Sequence, residues 1–318
     1  MRNYGGEKTM RRATWARLLT ILFLLSGGTS CKPPTATLEE ASDVPPYVRA
    51  MYTAQVAKLP AFLKGGFVVS RWDSGAPEHE GDALLWTGLA LGALPCESEE
   101  AKTLSVALRA MFADKDGGIY RHPDLADKPA SLDGAIGLWW GLAERITRCG
   151  EADYWRDVIG NHLRWVKDDG AVVPPYFDYV PELLCLESGW CGQEPARQAL
   201  IGLQRAAVAW ALAVKAKEAA CYRVHLSFLS LDTVEKLGTR LDPAWRDAFC
   251  AATADMGLPT TDNFCGRGGL AAWVDNFEAD KWEFRHQRCG AWEEPDGKPG
   301  LHTPGVDLLV ALRAAYNL

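Results

Sequence analysis

The sequence has little of what marks membrane-spanning, zinc-binding and nucleotide-binding proteins. Beyond residue 30, no uncharged apolar run approaches the roughly 20 residues that a membrane-spanning helix needs. No C-x-x-C pair occurs, and no His lies at zinc-finger spacing. The glycines at residues 266–269 have no strand pattern before them and no Lys-Ser/Thr pair after them, so they do not resemble a phosphate-binding loop. We therefore expect no metal, no cofactor and no bound nucleotide.

Strand patterns are also scarce, since Val, Ile and Thr rarely alternate with polar residues. Only short candidates such as residues 66–70 remain. Apolar residues recur instead at helical spacing. This spacing predicts helices at residues 45–63, 83–94, 101–112, 134–146, 154–166, 197–220, 222–237, 243–256 and 305–316. The predicted fold class is all-α, with few or no strands.

The chain is acidic once residues 1–30 are set aside. Those residues hold five of the 34 Lys and Arg and one of the 41 Asp and Glu, which leaves a net charge of −11. An acidic surface repels nucleic acid and anionic lipid. We therefore expect no nucleic-acid partner. A strongly anionic polymer fits as a substrate only if a local basic cleft offsets the field.

The N-terminal residues have the layout of an export signal. Arg11, Arg12 and Arg17 precede an apolar run at residues 18–25, and small residues follow it. A basic segment, a short apolar segment and small residues are typical of signal peptides in this order. We therefore predict a signal peptide at residues 1–30.

Residues 28–31 resemble the lipobox of bacterial lipoproteins, with Gly28 where Leu is usual. The resemblance implies acylation of Cys31, followed by a flexible tether over residues 31–44. A lipid anchor would hold the protein in the cell envelope, on the outer or the inner membrane, facing the periplasm or the cell surface. The alternative is an ordinary cleaved signal with an unmodified Cys31.

Eight cysteines remain besides Cys31, an even number that favours disulfides in an oxidising compartment. They are Cys96, Cys149, Cys185, Cys191, Cys221, Cys250, Cys265 and Cys289. The count alone leaves the connectivity open.

Two segments share one pattern that suggests a first pairing. Each begins at an Asp, Asp82 or Asp133, continues as a helix that is apolar on all faces, and ends just before a cysteine. If these helices are parallel neighbours, Cys96 and Cys149 lie at equivalent ends, and we predict a disulfide between them. Asp307 opens a third such segment without the cysteine.

Each of the first two apolar segments is followed by an amphipathic helix. A helix that is apolar on all faces needs protein around it, and a one-sided helix covers it from outside. A ring of inner helices wrapped by outer ones, the α/α toroid, satisfies both kinds, although a less regular helical array is the alternative. Over residues 45–318 the chain resembles the six-hairpin glycosidase-like toroids, which implies one helical domain, complete or incomplete as a ring, that binds or cleaves a glycan.

In such a fold the starts of the inner helices face one end of a central cavity. Asp82 and Asp133 lie at those starts, and two carboxylates across a cleft can act as acid and base on a glycosidic bond. Capping of the helices is the ordinary alternative for both residues. The aromatic candidates for stacking on sugars are Trp72, Trp86, Tyr120, Trp139 and Trp140, although a Trp on an all-apolar helix is more often part of the core.

The loop before the second apolar segment adds Arg121 and His122 as candidate cleft residues. Together with Tyr120 they are the only compact set that would suit a polysaccharide lyase. The acidic charge favours a hydrolase that acts on a neutral glycan. A non-catalytic lipoprotein that binds a glycan or another envelope component is the remaining alternative.

Overall fold

Helices account for 70% of the residues that the computed structural model of the protein describes. The structure describes residues 44–78, 81–114, 117–125, 128, 130–169, 193–219, 222–237, 241–268, 300–302, 304–316 and 318. All of them belong to one compact unit, Thr35–Leu318. The predicted signal peptide, most of the tether, and five cysteines lie outside the described residues: Cys31, Cys185, Cys191, Cys221 and Cys289.

Ten α-helices lie within the described residues. They are α1 (Pro46–Lys58), α2 (Ala83–Ala93), α3 (Glu99–Asp114), α4 (Leu132–Cys149), α5 (Ala152–Asp169), α6 (Gln193–Lys215), α7 (Tyr222–Lys236), α8 (Pro243–Thr253), α9 (Pro259–Phe264) and α10 (Val306–Tyr316). Nine of them correspond to the predicted segments, and the short α9 was not predicted. The predominance of helix confirms the predicted class. No helix in the described part of the chain is both long and apolar enough to cross a membrane.

Five very short strands lie beside the helix starts. They are β1 (Leu63–Lys64), β2 (Phe67–Val68), β3 (Ser70–Trp72), β4 (Pro77–Glu78) and β5 (Leu301–His302). The first two form an antiparallel pair, and β3 lies between β4 and β5 in an antiparallel sheet of three strands. Because β4 precedes α2 and β5 precedes α10, this sheet ties the entries of those two helices together.

The ends of α4 follow from local side-chain chemistry. Ser131 is the N-cap, and its hydroxyl accepts a hydrogen bond from the backbone N–H of Gly134 at 3.1 Å. Such a cap satisfies one of the N–H groups that a helix start leaves unpaired. Gly150 ends the helix with a φ of 69°, a left-handed conformation that glycine adopts without steric cost.

Glycines let α2 and α4 pack with their backbones almost in contact. A Cβ on Gly88 would overlap the backbone of Gly137, and a Cβ on Gly141 would overlap the carbonyl oxygen of Gly88. A Cβ on Gly92 would likewise meet Gly141. Gly88 thus faces Gly137, and Gly92, one turn later, faces Gly141, which is also one turn later. The two helices therefore run in the same direction.

Replacing Gly141 by Ala should destabilise the protein by about 1–3 kcal/mol, because the added methyl must push α2 and α4 apart. Gly160, in the middle of α5, is the matched control, since a Cβ there has nothing within 4 Å. Gly160→Ala should raise stability by about 0.5–1 kcal/mol through helix propensity alone. Urea unfolding of both variants measures the difference, and equal effects would contradict this account of the helix pair.

Two disulfides join described cysteines. Cys96 and Cys149, just after α2 and at the end of α4, form the bridge that the sequence pattern predicts. Cys250 and Cys265 form the second and tie α8 to the residue after α9. The first bridge spans a sequence separation of 53 residues, for which chain entropy gives about 4 kcal/mol of stabilisation.

Two further helices, α7 and α10, pack against the pair formed by α4 and α2. Helix α4 packs against α7, and α2 packs against α10. Nε1 of Trp140 donates to Oδ2 of Asp232 at 2.7 Å, and one turn later on both helices Lys236 lies 3.1 Å from Glu144. Because both residues of the second pair are one turn further along their helices, α4 and α7 run in the same direction.

Candidate functional site

The first turns of α2, α4, α7 and α10 meet at one end of the helix cluster. At this end His225 of α7 lies 3.5 Å from Asp307 of α10. At the opposite end, Arg313 near the end of α10 lies 3.9 Å from Glu144 in the second half of α4. Since α2 is parallel to α4, its start lies at the same end. The residues at these four helix starts form the candidate site, which we call the helix-start cluster.

Asp82 and Asp133 both belong to this cluster, and neither is a conventional cap. Asp82 occupies the N-cap position of α2, but its side chain makes no cap hydrogen bond. Asp133 lies in the first turn of α4, whose cap is Ser131. The sequence pattern begins this segment at Asp133, whereas the helix begins at Leu132 with Ser131 as its N-cap. Asp82 therefore makes no cap hydrogen bond, whereas the carboxylate of Asp133 accepts a hydrogen bond from its own backbone N–H in the first turn of α4.

The electrostatics of Asp133 are unusual for a residue that is only partly exposed. Burial, and to a smaller extent the negative charge of Asp82, raise its pKa to about 6. The guanidinium groups of Arg223 and Arg121 oppose this shift, as does a hydrogen bond from the backbone of Asp133 itself. Desolvation and a like charge both disfavour ionisation. Asp133 therefore retains its proton at a pH where an ordinary Asp has lost it.

Arg121 reaches the cluster from the loop before α4. A backbone hydrogen bond from Ala130 N to Ile119 O, at 3.0 Å, closes this loop beside the helix start. Arg121 is half-buried, and its charge acts on Asp133. Its neighbour His122 is buried instead: Nδ1 accepts from the backbone N–H of Asp124 at 3.1 Å, and Nε2 lies 3.3 Å from the carbonyl oxygen of Lys64. His122 thus lies in the core, while the charge of its neighbour Arg121 acts on Asp133.

The candidate aromatic residues also divide into two groups. Trp86, Trp139 and Trp140 are 4%, 1% and 1% exposed, so their ring faces are covered by protein. Trp72 in β3 and Tyr120 are half-buried and keep some surface. Of the five aromatic residues, these two have surface with which to contact a sugar.

Two further residues of the cluster come from the start of α7. Arg223 acts on Asp133, and its guanidinium lies 5.7 Å from the ring centre of Trp210. His225 is 8% exposed, and its Nδ1 is buried without a hydrogen-bond partner among the described residues. The sequence pattern missed both, because this segment does not open on an Asp. The one available signal was that Arg223 and His225 lie in the first turn of a predicted helix.

The described residues contain no group of three or more His, Cys, Asp or Glu that could hold a metal ion. The helix-start cluster brings together the carboxylates of Asp82, Asp133 and Asp307, the imidazole of His225 and the guanidinium groups of Arg121 and Arg223. No family model, curated protein or solved structure matches this chain.

Proposed function

We propose that this protein hydrolyses a glycosidic bond, with Asp133 as the general acid and Asp82 as the second carboxylate. The observation that carries the proposal is the pairing of two carboxylates at adjacent helix starts, one of which has its pKa raised to about 6 by burial and by the other. Glycoside hydrolysis uses such a pair in two different protonation states. The negative charge of Asp82 favours the protonated form of Asp133.

In the proposed reaction, protonated Asp133 donates its proton to the glycosidic oxygen as the bond to the anomeric carbon breaks. Ionised Asp82 then either attacks the anomeric carbon or removes a proton from the attacking water. The Arg223 and Arg121 guanidinium groups lower the pKa of Asp133, which limits how far burial can raise it. A pKa near 6 suits a group that must both give and recover a proton near neutral pH.

The surroundings of His122 favour hydrolysis over the lyase alternative. A lyase needs a base that can reach the C5 proton of a uronate, and His122 is 1% exposed with ring nitrogens directed at Asp124 and Lys64. Asp82 and Asp133 are half-buried. A non-catalytic glycan-binding protein would not need one carboxylate to be kept protonated.

We also propose that α2, α4, α7 and α10 are inner helices of an α/α toroid. Their parallel directions and shared starting end support this arrangement, as does the packing of amphipathic α3 and α5 after α2 and α4. The expected lipid anchor at Cys31 remains a separate proposal, consistent with the disulfides at Cys96–Cys149 and Cys250–Cys265. Mass spectrometry of the mature N-terminus tests it, and an unmodified Cys31 would contradict it.

The hydrolase proposal is tested by turnover of a glycan panel as a function of pH. Turnover should fall as pH rises through about 6, because the general acid must be protonated and the pKa of Asp133 is raised to that value. This decline of turnover at higher pH reports the titration of Asp82 and Asp133 as an interacting pair. Absence of turnover on neutral and acidic glycans alike, with binding retained, would support the non-catalytic alternative instead.

A further inference from the structure

We propose that the Arg313 guanidinium binds a compact anion of one negative charge, such as chloride, at the end of the helix cluster opposite to the helix starts. Arg313 lies near the end of α10, and its Nε is 3.9 Å from Oε2 of Glu144 in the second half of α4. The proposed catalytic carboxylates lie at the other end. The anion site is therefore independent of the proposed hydrolase activity.

Arg313 is a buried cation without the hydrogen bonds that such a group needs. Its side chain is 6% exposed, and its Nε is buried with no hydrogen-bond partner among the described residues. The separation of 3.9 Å from Glu144 is too long for a hydrogen bond. A guanidinium has five N–H donors, and within the described part of the chain none of those of Arg313 finds an acceptor. A buried polar group left in this way points to a bound ion or water.

The two other cations at this end already have acceptors. Nη2 of Arg148 donates to two backbone carbonyl oxygens at the end of α2, both at 2.8 Å. Nζ of Lys236 lies 2.6 Å from Oδ2 of Asp232 and 3.1 Å from Oε1 of Glu144. Arg313 is therefore the cation of this group whose donors are available to a further anion.

The charges at this end match one monovalent anion. Three cations and two carboxylates lie in one connected group and leave one net positive charge. They are Arg313, Arg148, Lys236, Glu144 and Asp232. Two neutral pairs border the group, Arg145 with Glu151 and Arg246 with Glu235. Burial raises the pKa of Tyr52 to about 12, so the neighbouring Tyr52 hydroxyl adds no charge at neutral pH.

The surroundings of the guanidinium select a small ligand. The side chains of Arg313 and Glu144 are each 6% exposed, and Tyr52 is 2% exposed. Because Nε of Arg313 is covered, a ligand reaches the guanidinium through Nη1 and Nη2. Burial and the charge of Arg148 lower the pKa of Arg313 to about 10, which still leaves it protonated at neutral pH. A bound anion would stabilise this charged form.

Thermal unfolding of the full chain in matched sodium salts tests the site. The probes are chloride and formate, compared at pH 7 and 0.1 M with isethionate, an anion too large for a buried site. Equal ionic strength keeps the screening of surface charges the same. With a dissociation constant of about 10 mM, at least one of the two small anions should raise Tm by about 2–4 °C. Line broadening in chlorine-35 NMR measures chloride binding directly.

Arg313→Met removes the guanidinium and keeps the length of the side chain. The variant should lose the response of Tm to chloride and formate. In isethionate it should be at least as stable as the wild type, because an apolar group replaces a buried charge without hydrogen bonds. The matched control is Arg164→Met, which removes an exposed arginine of α5 that donates to Asn161. This control should keep the wild-type response.

Three outcomes would overturn the inference. The first is an equal Tm of the wild type in chloride, formate and isethionate, with no chlorine-35 broadening, which would leave water as the partner of Arg313. The second is an unchanged anion response in Arg313→Met. The third is a larger effect of phosphate than of chloride or formate at equal ionic strength. If Arg313→Met does not fold, Arg313→Lys replaces it and should weaken the response, since Lys lacks the planar fork. Glycan turnover tests the hydrolase proposal separately, because the two sites share no residue.

Discussion

Asp133→Asn is expected to lower glycoside turnover by about 10²- to 10⁴-fold, the contribution of a positioned general acid. Asn has nearly the same shape as Asp but cannot donate a carboxyl proton. The loss should appear in kcat, because proton donation occurs in the transition state. The alkaline limb near pH 6 should disappear along with it. Initial rates across pH 4–9 on the best substrate of the wild type measure both effects.

Stability measurements separate this loss from misfolding. The folded-state pKa of Asp133 is raised from 3.8 to about 6, so the folded state binds more protons than the unfolded state between these values. The wild type therefore loses stability from this group as pH rises from about 4 to 6. Asn does not ionise, so Asp133→Asn should be at least as stable as the wild type at pH 7.

Asp153→Asn is the matched control for Asp133→Asn, because Asp153 is also a first-turn carboxylate, on the exposed face of α5. It should keep full turnover. Turnover that survives Asp133→Asn within a factor of two or three would exclude Asp133 as the general acid. Asp133 would then be a buried carboxylate without a catalytic role.

Glu144→Ala is expected to cost about 3–5 kcal/mol of unfolding free energy, since it removes one partner of a buried charge cluster. The Glu144 side chain is 6% exposed and lies 3.4 Å from Arg148 Nε, 3.1 Å from Lys236 Nζ and 3.9 Å from Arg313 Nε. Burial and the charge of Arg148 already lower the pKa of Arg313 to about 10, which Glu144 opposes. Removing the carboxylate leaves Arg148 and Arg313 without the negative charge beside them, while Lys236 keeps its ion pair with Asp232 at 2.6 Å.

Glu99→Ala is the control for the loss of an ion pair as such. Glu99 pairs with Lys102 at 2.8 Å, but its side chain is 85% exposed, so its removal should cost less than about 1 kcal/mol. Glu144→Gln preserves the volume and some hydrogen bonding, and should fall between the two. Urea unfolding at pH 7 measures all three variants. A loss below about 1 kcal/mol for Glu144→Ala would show that the cluster is solvated and does not hold α4, α7 and α10 together.

The helices and one disulfide were accessible from the sequence, because both depend on patterns that are local or repeated. Apolar spacing identified nine of the ten described helices. The shared order of an Asp, a helix apolar on all faces and a following Cys in two segments predicted the Cys96–Cys149 bridge, and the structure confirms it. Glycines at matching places in the two segments let the helices pack closely enough to align the cysteines.

The sequence could not predict which candidate site residues lie at the helix-start cluster and which are buried in the core. Trp139 and Trp140 were candidates for sugar contact and lie in the core, where the indole N–H of Trp140 donates to Asp232. Arg121 and His122 are adjacent in the sequence, yet only Arg121 acts on Asp133. Which side chain faces the cluster depends on elements packed from elsewhere in the chain, such as β1 against His122.

The sequence alone determined that this chain forms helices of two kinds and that an Asp, Asp82 or Asp133, lies close to the start of two of them. Helical periodicity and the repeated segments carry that information without any long-range contact. Only the tertiary structure decided that Arg121 and Arg223, 102 positions apart in the sequence, both act on Asp133. The parallel packing of α4 and α7 places their first turns together. Burial at that junction, together with Asp82, raises the pKa of Asp133.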